Sequence, residues 1–308
     1  MLAILLKTLP FFALIGLGYA AGRLRGFSDA ATAALTKFVF YFALSAMLFR
    51  FAANLDFAEI WDPALAAAYL TGTLTVYLLA TAVGWARGLD IPTNAVEAQC
   101  SVIGNVGFLG LPMLAVLLGE AAVAPMILIL SIDLIVFSSL IVILITGSRD
   151  GRMSLQVLRT IALGLVQNPM IVAISSGLIW STTGWSIPAP ANDFLLILGA
   201  AATPGALFAI GASLASKSAE RIEIAGWLSF AKLILHPIAV ALTALYLFPV
   251  SPFTFAVVVA CAAMPVAGNV YMLAQHYGVA PQRVSASILI STAISVATLT
   301  AVIGWVSP

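Results

Sequence analysis

Charged side chains are scarce in this sequence. It has 13 Lys and Arg and 12 Asp and Glu among 308 residues, which is 8%, whereas 62% of the residues are hydrophobic. This composition lies outside the range of globular proteins and within that of polytopic membrane proteins. No polar stretch approaches the roughly 50 residues that a soluble domain needs. The net charge of +1 and the dispersed basic residues give no indication of nucleic-acid binding.

Cysteine is also scarce, and the motifs of common enzyme classes are missing. Cys100 and Cys261 are too few for a disulfide framework or a cysteine-based metal site, and each is expected to be a small buried hydrophobic residue. The sequence has no Gly-rich phosphate loop, no His-Glu-x-x-His, no Gly-x-Ser-x-Gly and no Asp-rich pair for a metal-bound diphosphate. We therefore predict that the protein is not an enzyme and holds no cofactor or metal.

Long apolar runs fill the chain instead. About 20 apolar residues cross the hydrocarbon core of a bilayer as a helix. By this measure the sequence predicts an all-α polytopic membrane protein with ten transmembrane spans. The predicted spans are residues 3–22, 30–53, 63–86, 95–118, 122–146, 156–180, 191–215, 224–248, 253–277 and 284–306.

Basic residues are distributed unevenly between the two sides of this ten-span arrangement. One side has nine of them, namely Arg23, Arg25, Arg87, Arg149, Arg152, Arg159, Lys217, Arg221 and Arg283. The other side has only Arg50. Because short cytoplasmic loops carry the excess of Lys and Arg, both termini are predicted to face outward, and the loop between the fifth and sixth spans is predicted to be cytoplasmic.

The two halves of the chain resemble each other. The segment Ala43–Phe49 of the second span matches Ala202–Phe208 of the seventh, 159 positions later. Gly104-Asn105-Val106 recurs 164 positions later as Gly268-Asn269-Val270. A near-constant offset predicts an internal repeat, here residues 1–148 and 149–308. Since each half has five spans, an odd number, the second half is predicted to be inverted relative to the first.

Two of the spans cannot be unbroken helices. The fourth contains Gly104, Gly107, Gly110 and Pro112, and the ninth contains the segment Met264–Met272 with its own proline and glycine. Glycine loosens a helix, and proline removes a donor and clashes with the preceding turn. Irregular backbone at membrane depth is tolerated only where protein or a watery cavity covers it. Paired breaks in corresponding spans therefore predict the binding site of a secondary transporter.

Asn105 and Asn269 are the leading candidates for binding residues. Each has an amide beside a break, and the half-helix that follows offers free N–H groups and the positive end of a dipole to an anion. The predicted site also includes Gly104, Gly268, Pro112, Pro265 and Gln99. The alternatives are that each asparagine only bonds a neighbouring helix and that each proline is a kink without a ligand.

Three ionisable residues are predicted within the spans. Asp133 lies near the middle of the fifth span, where a charge is costly and usually functional. Lys232 and His236 are four residues apart in the eighth span and share a helix face. We predict that the three couple transport to an ion or compensate the charge of the substrate. The alternatives are that Lys232 extends to the cytoplasm and that His236 forms only a structural hydrogen bond; Lys37 and Glu97 are expected to be structural.

Six segments of the chain match a known family, namely Lys37–Leu44, Gly104–Pro112, Asn168-Pro169, Ala201–Phe208, Lys232–Pro237 and Met264-Pro265. In these segments the chain resembles the auxin efflux carrier family, in particular the bacterial branch that includes malonate transporters. The resemblance implies ten helices in two inverted five-helix repeats, with the fourth and ninth crossing where they unwind, and a homodimer. It also implies a scaffold of spans 1, 2, 6 and 7 and a transport part of spans 3 to 5 and 8 to 10 that moves as an elevator. The crossover asparagine and prolines of the family correspond to Asn105, Pro112 and Pro265.

From these observations we expect a secondary active transporter in a bacterial inner membrane, with both termini periplasmic. Its substrate is expected to be a small organic anion, namely a carboxylate or a dicarboxylate such as malonate, or an auxin-like acid. One alternative is a sodium-coupled symporter like the bile acid carriers, with Glu97, Gln99 and Asn269 contributing to the sodium site. The other is a membrane receptor that binds the ligand without moving it.

Overall fold

The structure is a computed structural model that describes residues 2–24, 26–55, 60–150, 155–215 and 222–306. Within these ranges the chain is helical, and β-type pairing is limited to one isolated bridge. Of the basic residues that predict the orientation, Arg25, Arg152, Lys217 and Arg221 lie outside the described residues.

The helices follow the predicted spans closely. They are α1 (Leu2–Arg23), α2 (Asp29–Ala53), α3 (Pro63–Ala86), α4 (Ile91–Val102), α5 (Val106–Leu118), α6 (Glu120–Ser148), α7 (Leu155–Gln167), α8 (Pro169–Ser181), α9 (Ala189–Ala215), α10 (Ile222–Leu247), α11 (Pro252–Ala262), α12 (Gly268–Tyr277) and α13 (Pro281–Val306). The fourth, sixth and ninth predicted spans each correspond to two successive helices, whereas every other span corresponds to one.

Several of these helices are long and apolar enough to cross a membrane. In the described residues six have this property, namely α2, α3, α6, α9, α10 and α13, and there are seven if the bent pair α7 and α8 is counted as one span. Helices α5 and α11 are apolar but shorter. The chain is therefore a multi-pass membrane protein. The count of ten spans and the inverted repeat stay predictions.

The bend between α7 and α8 is a feature that the sequence does not predict. Asn168 is extended, and its side-chain oxygen accepts a hydrogen bond from Met170 N at 3.0 Å, while Pro169 begins α8. An asparagine N-cap followed by proline at the first helical position favours the start of a new helix. The two helices consequently meet at 71°.

One set of helices, which we call the first helix group, consists of α1, α2, α8 and α9. Helix α1 packs along α9, and α2 packs against both α8 and α9. The backbones approach closely at glycine: a Cβ atom on Gly177 of α8 would lie 2.7 Å from Phe49 O of α2. These helices belong to the predicted spans 1, 2, 6 and 7, and their role as a scaffold stays a prediction.

The second helix group consists of α3 to α6 and α10 to α13. Helix α3 packs against α4 and α10, α10 packs against α11 and α13, and α6 contacts both α4 and α11. A Cβ atom on Gly72 of α3 would lie 2.8 Å from Val240 Cα of α10, so these two backbones also touch. Its helices are those of the predicted spans 3 to 5 and 8 to 10. That they form a transport part and move relative to the first group stays a prediction.

Candidate functional site

The two broken segments meet and bond each other. The first break, residues 103–105, separates α4 from α5, and the second, residues 263–267, separates α11 from α12. Asn105 N donates to Pro265 O at 2.8 Å, and Ala267 N donates to Ile103 O at 3.0 Å. These bonds form an antiparallel bridge between Gly104 and Val266. Each break therefore satisfies part of the backbone that the other leaves unpaired.

Side chains from two neighbouring helices hold the second break. Lys232 of α10 donates from Nζ to Ala262 O at 2.5 Å, which satisfies the last carbonyl of α11. Ser291 of α13 accepts a hydrogen bond at Oγ from Val266 N at 3.1 Å. Both side chains are completely buried. The second break is thus fixed to α10 and α13.

The two predicted asparagines lie beside the breaks in different positions. Asn105 directly precedes α5 and is 6% exposed, and its carbonyl accepts from Leu109 N and Gly110 N at 3.1 and 2.9 Å. Asn269 is the second residue of α12 and is half-buried, and its Oδ1 is buried without a hydrogen-bond partner in the described residues. The residue that precedes α12 is Ala267. In the sequence repeat Gly104 corresponds to Gly268, whereas in the structure Gly104 pairs with Val266, two residues earlier.

Both half-helices begin with free backbone donors. Among the described residues, no acceptor is present for the N–H groups of Gly107 and Phe108 in α5, or for those of Gly268 and Asn269 in α12. Free N–H groups together with the helix dipole make such ends favourable places for an anion. The donors of α5 lie among buried residues, whereas Gly268 is exposed.

The other predicted site residues are distributed unevenly around the crossing. Gly104 is buried, and a Cβ atom there would lie 3.2 Å from Lys232 Cε. Pro265 lies in the second break and bonds Asn105 through its carbonyl. Gln99 of α4 is 1% exposed, and its Oε1 has no partner in the described residues. Pro112 does not form the first break, because it lies seven residues later, within the first turn after the π-helical segment Val106–Gly110.

The three ionisable residues lie in one buried network with two residues of α3. Tyr69 donates from its hydroxyl to Asp133 Oδ1 at 2.8 Å. His236 is hydrogen-bonded through Nε2 to Thr73 Oγ1 and through Nδ1 to Lys232 Nζ, both at 3.0 Å. The rings of Tyr69 and His236 are in edge contact with centroids 5.9 Å apart, which connects the two sets of hydrogen bonds. Lys232 therefore does not extend to the cytoplasm.

Sequence reasoning missed Tyr69, Thr73 and Ser291. A signal exists for the first two, because they are four residues apart and so share one face of α3. Ser291 is one of several buried serines on α13. Its spacing alone does not distinguish it from the others.

Glu97 forms ion pairs with two arginines. It is 2% exposed, Arg87 Nη1 lies 2.6 Å from its Oε2, and Arg283 Nη1 bonds its Oε1. Arg87 and Arg283 therefore lie on the same side of the molecule, and that this side is cytoplasmic stays a prediction. The described residues contain no group of three His, Cys, Asp or Glu that could hold a metal ion.

One cavity lies away from the crossing. It has a volume of about 560 Å³ and lies at the ends of α4, α6 and α12, lined by residues 90–93, Ser148 and residues 278–280. The crossing itself is the better candidate site, because the free N–H groups and the unpartnered amide lie there.

Comparison with known proteins shows the family to which the chain belongs. Residues 3–303 match the family model described as "Membrane transport protein". A protein of Rhizobium meliloti (strain 1021) named "Putative malonate transporter" is 31% identical over 299 residues, which cover 95% of this chain and 92% of that protein. "Auxin efflux carrier component 8" of Arabidopsis thaliana is 21% identical over 345 residues, which cover 94% of each. The chain therefore belongs to the membrane transport protein family, which is the auxin efflux carrier family that its motifs resemble, and is a membrane transporter.

Proposed function

We propose that the protein is a secondary active transporter of a small organic anion, a carboxylate or a dicarboxylate such as malonate, and that the anion binds where the two breaks cross. The observation that carries this proposal is the mutual pairing of the breaks. Through the bonds between Asn105 and Pro265 and between Ile103 and Ala267, this pairing brings two half-helix N-termini together.

The anion would be held chiefly by neutral donors. The free N–H groups at the starts of α5 and α12 point to a carboxylate, and the amides of Asn105 and Asn269 are adjacent to them. Among the Lys and Arg side chains that the structure describes, Lys232 is the only buried one. It lies directly behind Gly104, so its positive charge would act on the anion through the first break.

The name of the Rhizobium relative supports malonate as the first substrate to test. Malonate is small, and its two carboxylates match the two half-helix N-termini in number. Auxin-like acids are monocarboxylates, so their single carboxylate would bind at one of the two half-helix N-termini.

The buried network of Asp133, Lys232 and His236 would supply charge compensation or ion coupling. These residues lie on α6 and α10, in the helix group that corresponds to the predicted transport part. In the proposed mechanism this part, α3 to α6 and α10 to α13, slides as an elevator against a scaffold of α1, α2 and α7 to α9. The proposal includes ten spans in two inverted repeats, a homodimer, a bacterial inner membrane and periplasmic termini.

A sodium-coupled symporter is the second candidate, favoured by the buried, unpartnered oxygens of Gln99 and Asn269. Carbonyl oxygens of this kind are suitable ligands for a hard cation. Glu97, which was expected to join them, already binds Arg87 and Arg283. Replacing sodium by choline at fixed pH separates the candidates, since uptake that stops without sodium supports the second.

The site assignment is tested by uptake of radiolabelled malonate into proteoliposomes. The variant Asn105→Ala/Asn269→Ala is expected to lose uptake, because both amides beside the half-helix N-termini are removed. Asn54→Ala is the matched control, since Asn54 is exposed at the end of α2 and, within the described residues, its side-chain amide bonds only Arg50 O of its own helix. If the double variant transports at the unmutated rate, the anion does not bind at the crossing.

A further inference from the structure

Helix α12 has one exposed face that starts at the second break. Gly268, Met272, Gln275 and His276 are exposed, with Met272 at 43%, whereas Val270 and Ala274 between them are completely buried. Positions that recur every three or four residues lie on one side of a helix. Helix α12 packs mainly against α4 and α13 of the second helix group, so this face is left open.

Lipid cannot satisfy the backbone N–H groups at the start of α12, where this exposed face begins. A Cβ atom on Gly268 would meet nothing within 4 Å, and the N–H groups of Gly268 and Asn269 have no acceptor in the described residues. Each unpaired polar group in a bilayer core costs several kcal/mol, and irregular backbone at that depth lies in protein or along a watery cavity. Water is therefore the medium that these groups require.

The opposite side of the crossing is covered by the first helix group. The ring of Phe108, in the first turn of α5, stacks on Phe40 of α2 with centroids 6.0 Å apart and an interplanar angle of 13°. A Cβ atom on Gly107 would lie 2.6 Å from Met170 Cε of α8. Helix α5 also packs against α1 and α9. The donors at the start of α5 are thus closed off by apolar side chains.

We propose that the face of α12 carrying Gly268, Met272, Gln275 and His276 lines the water-filled path to the crossing, and that the stacked rings of Phe40 and Phe108 close the other side. With the predicted orientation, α12 runs from the crossing towards the cytoplasm, so the path opens to the cytoplasm. This inference rests on the proposed function only for the identity of the molecule that uses the path.

Single-cysteine labelling with a membrane-impermeant, charged maleimide tests the path in inside-out membrane vesicles. Met272→Cys and Gln275→Cys are expected to react. Met272 is the decisive position, because it lies four residues, or about 6 Å, from Gly268 along the helix. Ala274→Cys, on the buried side of the same helix, and Ile238→Cys, at a 52% exposed position of α10 that is expected to face lipid, should show no labelling. The unsubstituted protein gives the background, since Cys100 and Cys261 are buried.

Each result decides the proposal. Labelling of Met272→Cys from the cytoplasmic side supports it. A Met272→Cys variant as unreactive as Ile238→Cys overturns it, even if Gln275→Cys reacts, because that pattern describes a helix end in the interface and not a path. Reaction of Val106→Cys, at a buried position beside the first break, from the periplasmic side would contradict closure by the ring stack, which this variant leaves intact. Gel filtration of each variant confirms that it folds.

Labelling requires neither substrate nor transport. It therefore succeeds or fails independently of malonate uptake, so failure of this inference is distinguishable from failure of the proposed substrate.

Discussion

Lys232 is the residue that connects the buried network to the crossing. Its ammonium group bonds Ala262 O and His236, and its side chain packs behind Gly104. Removal of the ammonium group leaves the buried carbonyl of Ala262 without this donor, and an unsatisfied buried polar group costs about 1–3 kcal/mol of stability.

We therefore expect Lys232→Met to lower the free energy of unfolding by about 1–3 kcal/mol, measured by denaturant unfolding in mixed micelles. The double variant Lys232→Met/Asp133→Asn tests whether the charges of the two residues also stabilise each other, since recovery of part of the loss requires such an interaction. Lys37→Met, at an exposed position, is the control. A double variant that is as unstable as the sum of Lys232→Met and Asp133→Asn would show that the two charges do not compensate each other.

Ser291 is predicted to position the second break. In Ser291→Ala, the buried N–H of Val266 loses its acceptor, at a cost of about 1–3 kcal/mol, and the break is released from α13. Uptake in proteoliposomes should fall, and Ser291→Thr, which keeps the hydroxyl, should restore it. Ser295→Ala is the matched control, because Ser295 is also buried but bonds Thr292 O within its own helix. Equal uptake by the Ser291→Ala and Ser295→Ala variants would show that Ser291 does not position the second break for transport.

At the residue scale, the sequence reveals charges better than neutral polar groups. Asp133, Lys232 and His236 stand out because a charge at membrane depth is costly without a partner. Tyr69, Thr73 and Ser291 do not stand out, because hydroxyl groups can bond their own helix backbone and are tolerated in membrane helices without a special role. Their partners are known only once the helices are packed.

At the scale of elements, glycine decides how closely helices pack. Gly177 of α8 faces α2, where a Cβ atom would lie 2.7 Å from Phe49 O and 2.8 Å from Ala52 Cβ. Gly164 of α7 is exposed and has nothing within 4 Å. Both are helical, so the intrinsic gain from replacing glycine by alanine, up to about 1 kcal/mol, applies to each.

Gly177→Ala is expected to destabilise the protein by about 1–3 kcal/mol through overpacking, whereas Gly164→Ala should be neutral or stabilising. Thermal unfolding of the two variants in one detergent measures the difference. Higher thermal stability for Gly177→Ala than for the unsubstituted protein would mean that α2 and α8 can move apart at little cost.

Element positions follow from the sequence more reliably than their irregularities. The positions of glycine and proline in the sequence locate both breaks, since Gly104 and Pro265 lie within them. Pro112 was expected to contribute to the first break, but it lies within helix α5. A proline is accommodated there because a π-helical turn precedes it and the helix then continues. The bend at Asn168 was missed because the flanking runs are both apolar. Hydrophobicity does not distinguish a bent span from a straight one.

At the scale of the whole molecule, the outer surface is apolar. Large exposed side chains such as Trp185 at 73%, Ile197 at 75% and Tyr246 at 76% are suited to lipid or to the membrane interface. The membrane class and the family follow from the sequence. The grouping of helices does not follow from composition, because surfaces that face lipid and surfaces that face another helix are equally rich in Leu, Ile and Ala.

The central claim is that the crossing of the two breaks carries an organic anion across the membrane. Transport currents recorded from proteoliposomes on a panel of mono- and dicarboxylates, with pH and sodium gradients imposed separately, test it most directly. We predict a current for at least one acid, malonate first, that follows one of the gradients and disappears in Asn105→Ala/Asn269→Ala. A current that persists in this variant, or the absence of current and of labelled-acid uptake across the panel under both gradients, would contradict the claim.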